Sequence, residues 1–132
     1  MHARIISLLV LGLILLATPV WAVSVKTEHL QIAATANGDG EAANVSSYTT
    51  AVFQVCCTFT ATINFEASID GTNYESVECF STADKTSRTV APTARGQWRC
   101  NMIGMNKLRA RISGYASGTI SVDAGLASAG VY

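Results

Sequence analysis

Histidine is scarce in this 132-residue chain: there are two, and only His29 lies beyond the first 22 residues. Ser-His-Asp and Cys-His devices need a base beside the nucleophile. His29, next to Glu28, is the lone candidate, and a half-exposed strand histidine is the simpler reading. Charge of one sign is also lacking, since nine Lys+Arg balance nine Asp+Glu. A nucleic-acid-binding surface needs a clustered excess of Lys and Arg, so that class is disfavoured. An acidic disordered tail is disfavoured on the same ground. Leucine nearly vanishes after residue 22, where three remain against 13 Thr and 11 Ser. That composition argues against a helical bundle and for strands. There is no paired CxxC and no His cluster, so neither a metal nor a cofactor is expected.

What is present begins with an address. Residues 1–22 read as a secretory signal peptide. His2 and Arg4 give a short basic start, and residues 5–17 are apolar but for Ser7 and Gly12. Pro19 ends the helix, and Val20 and Ala22 occupy the −3 and −1 positions of a cleavage site. A spanning helix needs about 20 apolar residues, so no membrane span is expected after cleavage. Residues 23–132 are expected to form a single domain, secreted, periplasmic or at the cell surface.

The clearest pattern lies in residues 51–69. Ala51, Phe53, Val55, Cys57, Phe59, Ala61, Ile63, Phe65, Ala67 and Ile69 alternate with mostly polar neighbours. Period two means strand. A single strand of this length is uncommon, so a break or bulge is expected near Cys56-Cys57-Thr58, with one face kept inward. Asp70-Gly71 signals a hairpin, with a return strand over 74–81. Further strands are expected over 25–32, 85–90, 96–103, 107–113 and 119–124. Residues 33–47 read as a long loop, functional or mobile, and residues 114–118 as a turn. The expected fold is all-β: one antiparallel β-sandwich of seven or eight strands, jelly-roll-like or immunoglobulin-like.

Cys56, Cys57, Cys79 and Cys100 are an even set in an exported domain, which suggests disulfides. Cys56 and Cys57 are adjacent, an awkward but possible pair. The Asp70-Gly71 hairpin would set Cys79 near Ile63, about 20 Å from Cys57. Cys79–Cys100 is then the favoured bond.

Several residues could bind a ligand. Asn37-Gly38-Asp39-Gly40-Glu41 has a faint calcium-loop character, but only Asp39 and Glu41 are acidic. A plain loop presenting Asn37 and Asp39 is the expectation. Arg109 and Arg111 share one strand face, with Arg88, Arg95 and Arg99 nearby in sequence. They make either an anionic-ligand patch or pairs with Glu66, Glu75 or Glu78. Glu66 and Asp70 would stand roughly 13 Å apart, too far for a glycosidase pair. Among Tyr74, Tyr115 and Trp98, the exposed sugar-stacking candidate is Tyr115, with Trp98 assigned to the core.

Several stretches carry a resemblance: Phe53-Gln54-Val55 and the run from Thr58 through Phe65-Glu66-Ala67-Ser68-Ile69-Asp70-Gly71-Thr72-Asn73 to Tyr74, then Gly96-Gln97-Trp98, then Leu108-Arg109-Ala110-Arg111-Ile112-Ser113-Gly114 and Ser117-Gly118-Thr119-Ile120-Ser121-Val122. This order resembles small β-sandwich domains of phage and prophage virion structural proteins, decoration or tail-associated. The resemblance runs from about residue 50 to 124. It implies a non-enzymatic structural or surface-binding role, with a phage particle, a cell-surface component, a glycan or a second copy of the chain as partner. The signal, and Cys57 where such domains carry Gly, add export. The competing expectation is a secreted carbohydrate-binding module.

Overall fold

The computed structural model describes residues 24–128. The expected signal helix and cleavage site lie outside that range. Ten strands follow in order: β1 Val25–Ala34, β2 Ala43–Asn44, β3 Thr50–Cys56, β4 Phe59–Ser68, β5 Glu75–Ser76, β6 Cys79–Ser81, β7 Arg88–Thr89, β8 Gly96–Asn101, β9 Lys107–Gly118 and β10 Ile120–Ala127. They form a six-stranded sheet, β1-β10-β3-β8-β6-β7, and a four-stranded sheet, β2-β9-β4-β5. Every pairing is antiparallel.

The alternation of residues 51–67 builds both layers. Ala51, Phe53 and Val55 are buried on β3, in the larger sheet, and Ala61, Ile63, Phe65 and Ala67 on β4, in the smaller one. The break at Cys57 is where the chain changes sheets. Its φ of 87° turns the backbone over, so the same parity points inward on both sides of the crossing. Trp98 and Cys100 on β8, Leu108, Ala110 and Ile112 on β9, and Ile120, Val122, Ala124 and Leu126 on β10 complete the core. The parity lapses at the crossing, where Cys57, expected inward, is exposed and Phe59 half-buried, and it ends at Ala67: Ile69, also expected inward, is 75% exposed in the turn after β4.

Ten strands stand where seven or eight were expected, with β2 inside the expected 33–47 loop, and two further segments differ from expectation. The return strand over 74–81 is split. Glu75 and Ser76 pair with β4, and then the chain crosses so that Cys79 pairs with Cys100 of β8. Cys79 therefore does not lie beside Ile63, whose backbone N–H is instead bonded to Pro92 O. The Cys79–Cys100 disulfide is formed within the larger sheet, and Cys56–Cys57 form a second, between adjacent residues.

Residues 114–118 are not a turn but the far part of β9. Thr60 faces Ser117 and Thr62 faces Ser113, so β9 carries extra residues opposite Ala61. This is a bulge, and Gly114 supplies the positive φ of 59° within it. The bend comes later, at Gly118. A Cβ there would lie 2.2 Å from Thr58 O, so only glycine fits where β9 hands over to β10 beside the β3–β4 crossing.

Candidate functional site

The five candidate binding residues converge on the outer side and edge of β9. Residues 33–47 reach it as a strap tied to the sandwich. Gly38 and Ile112 exchange two backbone hydrogen bonds, of 3.2 and 2.8 Å. Gln31, buried in β1, donates from Nε2 to Ala110 O at 2.8 Å. Glu41 N donates to Leu30 O, and Gly40 (φ 68°) lies so close to Leu30 O and Gln31 that no Cβ would fit. The strap thereby covers part of the β9 edge that β2 leaves unpaired, a common protection of sheet edges.

This strap aims Asn37 and Asp39. Asn37 Oδ1 accepts the backbone N–H of Tyr115 at 2.8 Å. Asp39 Oδ2 meets Arg109 Nη1 at 3.0 Å. Arg109 Nε donates to Glu66 Oε2, and Arg111 Nε to Glu66 Oε1, both at 2.7 Å. Arg109 also lies over the Tyr74 ring, 4.1 Å from its centroid, a cation–π contact. Two guanidiniums thus face two carboxylates, and Glu66 is buried between them. Arg109 and Arg111 carry no excess positive charge here, so the anionic-patch expectation gives way to the paired one. Neither Glu75 nor Glu78 joins them; Glu78 pairs with Arg88 at 3.4 Å.

Tyr115 is not an exposed platform. It is partly buried against the core in the β9 bulge, and its hydroxyl donates to Gly118 O at 2.8 Å. Trp98 is a core residue, 5.6 Å from Phe65 between ring centroids. Two further acids, Asp70 and Asp84, serve turns. Asp70 accepts the N–H groups of Asn73 and Thr72, the Asn73 amide and the Ser68 hydroxyl, which hold its carboxyl well below the usual range. The Ser87 hydroxyl, then the N–H groups of Ser87 and Thr86, lower Asp84 in the same way. His29 Nδ1 sits 2.6 Å from Asp123 Oδ1 across β1 and β10.

The arginines grouped by their nearness in sequence part company here. Arg99 belongs to β8 of the larger sheet, and Arg95 lies in the bend just before that strand, whereas Arg109 and Arg111 belong to the smaller sheet. Their signal in the sequence was the alternation Arg95, Gln97, Arg99, Asn101, which places all four outward because Trp98 and Cys100 point in.

The XepA family model matches residues 25–126, nearly all of the described sandwich. The chain belongs to the XepA family. It is thus a phage- and prophage-type protein with a small β domain. The prophage SPBc2-derived protein YomS superposes with a TM-score of 0.75 at 16% identity, covering 81% of this chain and 96% of YomS. The PBSX exported protein XepA gives a TM-score of 0.80 at 16% identity, covering 97% of this chain. The chain spans about half of XepA, 49% of its length. At this identity both likenesses speak to the fold alone. A search of the curated proteins finds no match.

Proposed function

We propose that this XepA-family chain is an exported, non-enzymatic protein of phage type that acts by assembly or surface binding. The observation that carries the reading is the family match over residues 25–126, joined to a relative whose own name is that of an exported protein. The apolar run and cleavage pattern of residues 1–22 support export. With β6 and β7 set aside, the strand orders β1-β10-β3-β8 and β2-β9-β4-β5 support a jelly-roll reading of the sandwich. That architecture serves viral capsids and lectins alike. Hydrogen-bonded straps and turns on a rigid frame are how such domains present a contact surface. The strap over 33–47 with the β9 bulge, and the edges of both sheets, are the surfaces available to a phage particle, a cell-surface component or a second copy.

The test is to recover the protein from outside the cell, measure its N-terminus and solution mass, and screen it against phage particles, whole cells and glycans. A chain beginning at Val23 that forms a discrete oligomer or binds saturably supports the proposal. A chain retaining Met1, or one that hydrolyses a peptide, ester or glycoside and loses that activity on His29→Ala, overturns it.

A further inference from the structure

Charge in this chain is balanced overall but not in space. Among the described residues, the cations without an ion pair are Lys85, Arg95, Arg99 and Lys107. Three of these four, Lys85, Arg95 and Arg99, line one groove on the outer face of the six-stranded sheet. Lys107 sits on β9, in the other sheet.

The groove follows β8. Its middle is a cavity of about 460 Å³ walled by Phe80, Lys85, Gln97 and Arg99. Gln97 is shared with a cavity of about 360 Å³ toward Arg95 and Gln54. Phe80 and Arg99 are shared with one of about 260 Å³ toward Asn101. The whole run from Arg95 to Asn101 is about 20 Å at the rise of a strand. No carboxylate lines any of the three. The acids on the flanking elements are engaged elsewhere. Glu78 pairs with Arg88, Asp84 is bonded to Thr86 and Ser87, and Asp123 is bonded to His29.

We propose that this groove binds a linear acidic polysaccharide. The inference rests on the surface-binding reading above, adds the outer face of the larger sheet to the surfaces named there, and gives the ligand class. Arg99 on β8 and Arg95, in the bend just before it, are four residues apart, about 13 Å at the rise of an extended chain. That spacing suits anionic groups recurring along a chain better than one small anion. Guanidinium forks bind carboxylates in two-point fashion. Gln97, already bonded to Gln54 Oε1 at 3.3 Å, and the hydroxyls of Ser81 and Thr82 supply partners for sugar hydroxyls. Phe80, partly exposed with Arg88 4.8 Å from its ring centroid, offers an apolar surface for a sugar ring. Single-stranded nucleic acid would call for aromatic stacking at successive bases, and Phe80 is the one aromatic residue lining the groove.

The test is retention of the exported protein on immobilised polygalacturonate, with neutral dextran and single-stranded DNA as the other arms. Saturable binding to polygalacturonate that weakens with salt is expected. The double variant Lys85→Gln/Arg99→Gln should weaken it about tenfold or more, with an unchanged melting temperature. Lys107→Gln should leave it as it was. Equal binding by the double variant, an equal loss on Lys107→Gln, equal retention on dextran, or tighter binding to DNA would overturn the assignment. If polygalacturonate is not bound while whole cells or phage particles are, the groove assignment falls and the surface-binding reading stands. If none is bound, both fall.

Discussion

Phe53 and Phe65 stack with ring centroids 4.0 Å apart and planes 14° from parallel, although they belong to different sheets. Twelve positions separate them in the chain, and the crossing at Cys57 lies between. Both are fully buried, so the pair joins the two layers at the centre of the sandwich.

Replacing Phe65 by Ala should therefore cost about 3–5 kcal/mol, through lost burial and an unfilled cavity. Thr62 lies on the other face of β4 and is only partly buried. Thr62→Ala should cost under about 1 kcal/mol. Chemical denaturation of the two variants measures the difference, and equal costs would contradict one-sided burial of β4.

Glu66 is the hinge of the polar network. Glu66→Ala leaves two guanidiniums facing each other without their carboxylate, and should cost about 3 kcal/mol or more. Arg109→Ala should cost more than Arg111→Ala. Arg109 is less exposed, 19% against 37%, and also holds Asp39 and Tyr74. Urea midpoints of the three variants give the ranking.

The two disulfides should differ in worth. Cys79–Cys100 closes a loop with a sequence separation of 21. In the chain-entropy account such a bond stabilises by about 3 kcal/mol. Cys56–Cys57 has a separation of one and restricts almost none of the unfolded chain. Thermal melts should show Cys79→Ala/Cys100→Ala falling well below Cys56→Ser/Cys57→Ser.

Asp70 gives the acid dependence. Its carboxyl is lowered by the Asn73 and Thr72 N–H groups. A group depressed in the folded state stabilises above its unfolded pKa and loses that contribution as pH falls toward the folded value. Asp70→Asn should melt below the parent at neutral pH. The gap should close as pH falls below about 4, the ordinary Asp value. A gap that widens in acid would contradict the turn role.

Much of this was legible in the residues themselves. Alternation over residues 51–67, broken only near Cys57, dictated strands and the inward side of each, because a pleated chain has a period of two whatever it packs against. Thr-rich, Leu-poor composition dictated the all-β class, and the resemblance over about residues 50–124 pointed to phage and prophage proteins. Only the tertiary structure decided which sheet each strand joins. Residues 74–81 look like one strand, yet Val77 bonds to β4 while Cys79 bonds to β8. Gly114 and Gly118 look alike as turn signals, but one makes a bulge and the other a bend. The difference lies in what opposes them, Ala61 in one case and the Thr58 carbonyl in the other. The fate of the arginines was settled the same way. Pairing β9 with β4 sets Glu66 opposite Arg109 and neutralises that face, whereas β8 runs between β3 and β6, whose outward residues there are uncharged. Local sequence sets which side a charge points to. What lies across from it depends on strand pairing between residues far apart in the chain, and that decides whether the charge is free.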